Sequence, residues 1–380
     1  MNAAPAARPG DPVETIDTPA LVVDLDAMEK NLQAMAAFAR GCGMRLRPHA
    51  KMHKSATIAR LQIEAGAVGV CVQKTSEAEA LAAAGVDDIY ISNEVIDEAK
   101  LVRVAALAAR IRLAIAVDSL AGIDRLAAAM ARSGATIDVF VEVDVGQGRC
   151  GAPPAAAGQL AHRVVAHAPP EGGLRFAGLQ AYHGAAQHLR SVAERAAAAH
   201  HAASLARAAQ ASVGALGIAC PLVTGAGTGT FAFDAASGVW GELQVGSYLF
   251  MDRDYADNVP LASAPRFEHA LFVKAQVVSR GAAHAVIDAG HKSHALDSGP
   301  PRLWQRDLAW ASGGDEHGVV RARAGEGAAR LPELGETVWL VPGHCDPTVN
   351  LHDRYVVVRG GLAGGVVAAV WPIEARGCLS

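Results

Sequence analysis

From residue 45 onward the chain alternates between short apolar runs and longer alanine-rich stretches. The runs of β type fall at 45–50, 69–73, 89–93, 112–117, 138–144, 175–182, 221–224 and 243–248. Between them, 55–66, 75–84, 97–109, 119–133, 155–167 and 191–215 carry apolar residues at helical spacing. Several runs are apolar at successive positions, as strands buried on both faces of a parallel sheet are. Eight strands joined by helices over about 210 residues fit an α/β fold of the (β/α)8 TIM-type barrel class. An open doubly wound sheet is the alternative.

Ahead of the alternation, residues 1–12 are rich in Ala, Pro and Gly and read as a mobile arm. Thr18-Pro19 leads into a strand at 20–25, and Asp26 is placed to cap a helix running to about Arg40. After Asp254 the texture changes. ALFVKAQVVS, HAVIDAG, ETVWLVPG, RYVVVRGG and GVVAAVWPI are strand-like and separated by Gly-rich turns, with no long helix. The expected division is therefore a barrel over 26–255 and an all-β domain made from 1–25 and 256–380, which strand 20–24 can join.

Composition narrows the classes. With 51% hydrophobic and 19% charged residues the chain is globular, and a formal charge of −4 favours neither nucleic acid nor an anionic membrane. Six cysteines lie scattered without CxxC spacing, which fits reduced thiols in a cytosol. The N-terminus lacks an apolar signal core and no apolar run reaches membrane-spanning length, so a soluble cytoplasmic protein is expected.

Chemistry concentrates at the strand ends, where barrels place active sites. The first run ends Arg47-Pro48-His49-Ala50-Lys51-Met52-His53-Lys54. An extended conformation to residue 53 would turn His49, Lys51 and His53 one way, with Arg47, His49, His53 and Lys54 as cationic neighbours that lower the lysine pKa. Taken alone, a solvated basic strand end is the simpler reading. Later strands end in Gln73, in Glu142 and Asp144 before Gly146-Gln147-Gly148-Arg149, and in Tyr182-His183 with His188 beyond. Thr224-Gly225-Ala226-Gly227-Thr228-Gly229-Thr230 offers backbone N–H groups suited to a phosphate, and Gly246-Ser247-Tyr248 completes the cradle. A lysine and a phosphate cradle are the two anchors that pyridoxal phosphate needs. In the β domain, His344 and Asp346 at i and i+2 of extended chain point the same way and suit Mn²⁺, Mg²⁺ or Co²⁺. His317, in Asp315-Glu316-His317-Gly318, is a weaker candidate for the same site.

With these pieces in hand the chain resembles the metal-activated D-threonine aldolases and 3-hydroxy-D-aspartate aldolases. These are alanine-racemase-like, fold-type III pyridoxal-phosphate enzymes. The stretches that carry the resemblance are RPHAKMHK, GVCVQKTSEAEAL, VFVEVDVGQGRCG, FAGLQAYHGAAQH, TGAGTGTFAFDAASGVWGELQVGSYLFMD, DEHGVV and VPGHCDPTVNLHD, from about residue 17 to 376. The resemblance implies that Lys51 carries the cofactor and that Arg149 lies near its pyridine nitrogen. It implies that Gln73, Tyr182, Thr224, Gly225, Gly227, Thr228 and Tyr248 surround cofactor and phosphate. The metal pair falls on His344 and Asp346, with Mn²⁺ first in expectation, and the base on His188, with His183 as the alternative. Related D-serine dehydratases have His-x-Cys where this chain has His-x-Asp. Where Gly-Gly-Gly-Thr-Gly is expected, this chain has Gly225-Ala226-Gly227-Thr228-Gly229.

The activity so implied is retro-aldol cleavage of a D-3-hydroxy-amino acid such as D-threonine to glycine and an aldehyde, by a homodimer. The alternatives are a 3-hydroxy-D-aspartate aldolase giving glycine and glyoxylate, a D-serine-type dehydratase, and a non-catalytic pyridoxal-phosphate-binding protein.

Overall fold

A computed structural model describes residues 6–168, 172–323 and 330–380. Strand β1 (Ala20–Asp24) and helix α1 (Leu25–Gly41) precede the barrel strands β2 (Arg45–Leu46), β3 (Val70–Val72), β4 (Asp88–Ile91), β5 (Arg112–Val117), β6 (Thr136–Glu142), β7 (Gly173–Ala181), β8 (Val223–Gly225) and β9 (Glu242–Leu243). Helices α2 (Ala56–Glu64), α3 (Thr75–Ala83), α4 (Glu98–Ala108), α5 (Leu120–Ser133), α6 (Ala157–Ala166), α7 (Val192–Gly214) and α8 (Phe231–Ala236) connect them, and α9 (Arg253–Ala256) follows. All eight barrel strands run parallel, in the order β2-β9-β8-β7-β6-β5-β4-β3. The ring closes between β2 and β3 through Val68 N–H to Leu46 O (2.9 Å), Cys71 N–H to Pro48 O (2.8 Å) and Ala50 N–H to Cys71 O (2.7 Å).

Strand alternation sorts side chains into two cores. Val70, Val72, Ile89, Ile91, Leu113 and Ile115 face outward and bury against helix residues such as Ile123, Leu126 and Met130. Cys71, Tyr90, Ala114, Ala116 and Phe140 face inward. The small residues leave room for the Tyr90 and Phe140 rings, 4.9 Å apart between centroids. Below them, at the N-terminal mouth, a chain of alternating charge runs Arg175–Asp138–Arg112–Asp88–Arg47–Glu242, with 3.6 Å from Arg112 to Asp138 and 3.3 Å from Arg47 to Glu242. Arg47 is buried in this floor. It lies at the opposite end of the barrel from the strand C-termini and is no neighbour of the lysine.

The second body consists of β10 (Leu271–Arg280), β11 (Ala285–Ile287), β12 (Arg302–Leu303), β13 (Leu308–Ser312), β14 (Gly318–Ala322), β15 (Thr337–Val341), β16 (Arg354–Arg359) and β17 (Val366–Pro372), with one short helix, α10 (Cys345–Val349). Its main sheet has the order β13-β14-β11-β10-β1-β16-β17. β1 lies between β10, to which it is antiparallel, and β16, to which it is parallel with Val22 opposite Val356.

Two local expectations are corrected, and one hairpin was not foreseen. Residues 6–12 are no mobile arm: Ala7, Val13 and Ile16 are buried with Val22, Val356, Val358 and Val367, and Gly10 N–H reaches Val367 O. The buried Lys274 ammonium fixes that turn by donating to the carbonyls of Val13, Glu14 and Ile16. Residues 1–5 lie outside the described part. The cap of α1 is Asp24, which accepts from Ala27 N–H, while Asp26 pairs with Arg359 instead. The hairpin β13–β14 has no apolar run long enough to announce it; only alternate residues such as Trp310 and Val320 are buried.

Candidate active site

At the C-terminal ends of the barrel strands lies a cavity of about 350 Å³, roofed by the β-domain loop that carries His344 and Asp346. Lys51 enters it from a turn, not a strand. After His49 the backbone curls, with His53 and Lys54 N–H both donating to Ala50 O, and Lys54 ends the turn at a left-handed φ of 53°. Curling separates the residues that an extended chain would have aligned. His53 turns away and bonds Gln62 at 3.2 Å, and Lys54 pairs with buried Glu77. Tyr355 OH, from the β domain, donates to His53 O at 2.6 Å and braces the turn from outside.

The neighbours of Lys51 therefore differ from those expected. His49 Nε2 meets Gln73 Nε2 at 3.0 Å and Ser92 Oγ at 3.2 Å, and burial, helped by the Lys51 charge, holds His49 well below the usual histidine range. Lys51 Nζ stands 3.4 Å from Asp346 Oδ2. Burial opposes its charge, but the Asp346 carboxylate outweighs burial and raises the Lys51 pKa. The expected lowering by Arg47, His49, His53 and Lys54 is not found; Arg149 is the cation that pulls the Lys51 pKa down, and it does not reverse the net rise.

Opposite Lys51 the wall is built from Ala226, Gly227 and Thr228 after β8, and Gly246 and Ser247 after β9. Among the described residues the backbone N–H groups of Gly227, Thr228, Gly246 and Ser247 find no protein acceptor. Unpaired amides converging on a cavity are an anion cradle. Ala226 holds φ at 68°, a left-handed conformation that glycine adopts freely and alanine does at a cost of about 1 kcal/mol. Thr228 Oγ1 accepts from Tyr248 N–H at 3.0 Å, which ties the two loops together. Behind the cradle, Thr230 Oγ1 lies 2.6 Å from Asp234 Oδ2, and burial pushes the Asp234 carboxyl up to about 7.

That shift has a measurable consequence. The folded chain keeps a proton that unfolded Asp234 loses near pH 4, so the contribution of this group to stability is fully present below that pH and lost as pH rises through 7. The loss should be about 4 kcal/mol. In urea unfolding, Asp234→Asn should lose less stability between pH 5 and pH 8 than the wild type does, and an equal loss would refute the shift.

The chemistry at the roof is an imidazole–carboxylate pair. His344 Nδ1 meets Asp297 Oδ2 at 2.6 Å, which fixes the ring, and its Nε2 lies 3.7 Å from Asp346 Oδ1. That Asp346 oxygen is buried with no hydrogen-bond partner. The pair converges for a different reason than expected: His344 is extended, but Asp346 already lies in the first turn of α10. Among the described residues no group of three His, Cys, Asp or Glu could hold a metal ion, so this pair would need other donors to complete a coordination shell.

Lys51, Gln73, Arg149, Tyr182, His188, Gly227, Thr228, His344 and Asp346 all line the cavity. Five other candidates do not. Thr224 sits one layer lower, bonded to Glu242 at 2.8 Å and to Gln244 at 2.7 Å inside the barrel. Gly225 is needed for close strand packing, since a Cβ there would stand 1.9 Å from Ala181 O. Tyr248 points into the apolar core and bonds Gln62. His183 faces a smaller chamber with Asp234 and Trp240, where burial lowers its pKa. His317 lies exposed on the β13–β14 hairpin. Ser92 and Gln180, polar residues expected at the ends of their strands, line the cavity as well, whereas Gln244 and Tyr255 line it without having been singled out. Alternation continued past β9 could have marked Gln244. An adjoining cavity of about 240 Å³ shares Thr228 and Tyr255 but holds no lysine or carboxylate.

A parallel barrel with a lysine and an anion cradle at its C-terminal mouth, closed by a β domain, defines the alanine-racemase-like class. The family described as alanine racemase, N-terminal domain, matches residues 23–254, and that of a putative serine dehydratase domain matches 270–358. The chain is 48% identical to a D-threonine aldolase from Arthrobacter sp. over 98% of its own length and 96% of the relative's. It is 42% identical to a 3-hydroxy-D-aspartate aldolase from Paracoccus denitrificans over 98% and 95%. The crystal structure of D-threonine aldolase from Filomicrobium marinum superposes with a TM-score of 0.93 over the whole of both chains, at 48% identity. The chain belongs to the D-threonine aldolase family of alanine-racemase-like proteins.

Proposed function

We propose that this protein is a pyridoxal-phosphate- and divalent-metal-dependent aldolase that cleaves D-3-hydroxy-amino acids, D-threonine foremost, to glycine and an aldehyde. The observation that carries this reading is the convergence on one cavity of Lys51, the unpaired amides of the 226–228 and 246–247 loops, and the His344–Asp346 pair. The donor set fits both groups: a primary amine and an amide cradle for an aldehyde-bearing phosphate, and a buried carboxylate oxygen beside an imidazole for a hard divalent cation. Mn²⁺ is the ion we favour, in a cytoplasmic homodimer.

Lys51 would hold the cofactor, the two loops its phosphate, and His344 with Asp346 the metal. When bound, the cofactor supplies an electron sink for the carbanion at Cα and the metal polarises the β-hydroxyl. The protein residues do the rest. Arg149, its guanidinium carbon 5.9 Å from the Tyr182 ring centroid, holds a fixed positive charge in the cavity. Gln73, held by Ser92 and His49, fixes the wall beside Lys51. His188, which lines the same cavity as His344 and Asp346, is the group to take the β-hydroxyl proton as the Cα–Cβ bond breaks.

The preference for a neutral side chain rests on charge. Apart from histidines, the cavity has only Lys51 and Arg149 as cations, so among the described lining residues no further lysine or arginine awaits a second substrate carboxylate. Incubation with pyridoxal phosphate, Mn²⁺ and D-threonine should yield glycine and acetaldehyde, abolished by chelator and absent with L-threonine. Faster turnover of 3-hydroxy-D-aspartate would reassign the substrate, and ammonia with a 2-oxo acid would make the protein a dehydratase.

A further inference from the structure

The short segment after the last barrel strand grips both halves of the site. Asp252 Oδ2 accepts from Cys345 N–H at 3.0 Å, Arg253 N–H donates to Pro342 O at 3.0 Å, and Asp254 N–H donates to Gly343 O at 3.2 Å. Three consecutive residues thus hold the loop that presents His344 and Asp346. The Asp254 side chain points the other way, toward the barrel rim. Its Oδ2 lies 2.5 Å from His188 Nδ1, and its Oδ1 and main-chain carbonyl both accept from the Arg190 guanidinium. Asp254 is buried while His188 is half exposed to the cavity. Burial alone would raise the Asp254 pKa, but Arg190 and His188 outweigh it and keep the carboxyl below its ordinary range.

A carboxylate can only accept, so a hydrogen bond at Nδ1 requires the proton there. Neutral imidazole carries one N–H, and fixing it on Nδ1 leaves Nε2 with a lone pair. Arg190 supplies what a freely rotating carboxylate would lack: it pins the second oxygen and so the direction of the first. The Tyr255 ring, 5.4 Å from the His188 ring, closes the remaining side.

We propose that Asp254 is the positioning residue of the reaction: pinned by Arg190, it holds the proton on Nδ1 of His188, presents Nε2 to the cavity as acceptor, and registers that acceptor to the His344–Asp346 loop through its own backbone. This deepens the proposed function and rests on His188 being the base. It makes one segment, 252–254, responsible for the distance between the group that takes the hydroxyl proton and the pair placed to polarise the hydroxyl.

The test compares wild-type enzyme with Asp254→Asn, His188→Ala and the double variant. Imidazole nitrogens are read by ¹⁵N NMR, Mn²⁺ and pyridoxal-phosphate affinity are measured separately, and kcat and KM are taken on D-threonine. Asp254→Asn should lower kcat about 100-fold or more with KM changed less than about threefold. The Mn²⁺ affinity should stay within about twofold, because none of the contacts of 252–254 to 342–345 uses the Asp254 side chain. The His188 signals should move from an Nδ1–H tautomer in wild type to a mixture in the variant, and in the double variant the aspartate change should cost nothing further. If His188→Ala is inactive while Asp254→Asn turns over like wild type or keeps the tautomer, this inference falls and the base assignment stands. If His188→Ala retains turnover, the base assignment itself falls, and the inference with it. A variant that loses Mn²⁺ but keeps the tautomer would show Asp254 to be a brace for the loop and overturn the proposal. Should Asp254→Asn not fold, Arg190→Met frees the same carboxylate and should mix the tautomers; unchanged signals there would count against it equally.

Discussion

Replacing Lys51 with alanine is expected to abolish turnover, by more than about 10⁴-fold, together with the yellow colour of protein reconstituted with pyridoxal phosphate. Both effects should come from one lost amine, because the surroundings of Lys51 do not depend on its side chain. The turn is fixed by main-chain bonds to Ala50 O, by Lys54 with Glu77, and by Tyr355 OH on His53 O. Circular dichroism and the urea midpoint should therefore stay close to wild type. A coloured, active Lys51→Ala enzyme would remove the lysine from the chemistry and with it the central assignment of the site.

Asp346→Ala should be nearly as damaging to activity but leave the colour in place. The Asp346 Oδ1 atom is buried without a partner, and its Oδ2 faces Lys51. An orphaned carboxylate oxygen next to an imidazole already oriented by Asp297 is costly unless a cation is bound there in use. Removal is expected to lower kcat by about 10³-fold or more and to abolish stimulation by Mn²⁺. Retention of metal-stimulated turnover would place the metal elsewhere. Because cofactor binding and metal binding fail separately in the two variants, absorbance and metal titration tell them apart.

The barrel was legible because its elements obey their periods. The run at 112–117 coincides with β5, and the stretch at 119–133 with α5 to within a residue, since each is bounded by charges or a serine cap. The strand carrying the lysine was read too long. Its bonds to β9 and β3 run only as far as His49 and Ala50, just short of Lys51, and apolar content does not reveal where a chain starts to curl. Lys51, Arg149, His188, His344 and Asp346 were visible as polar residues at strand ends or in a compact polar motif. Tyr248 and Thr224 do not reach the cavity although both lie within a few residues of Gly227, Thr228, Gly246 and Ser247, which line it. A single-turn 3₁₀ segment at Ser247–Leu249 has no period from which to tell inside from outside, and Thr224 occupies the layer beneath. Asp254 marked a change of texture in the sequence, but its bond to His188 joins positions 66 apart and leaves no local trace.

The place of β1 in the sheet of the second body has a consequence for synthesis. Val22 must wait for Val356, so the first strand of the chain is completed by one of the last to be made. At about 5–20 residues per second that interval is tens of seconds, during which the barrel can close and β10 can pair with Leu21, Val22 and Val23 on one side while their other side still lacks β16. The N-terminal segment is then an open apolar edge on a nascent chain whose other half is already folded. Ribosome-bound chains ending before residue 356 should accordingly be the ones that chaperones hold longest.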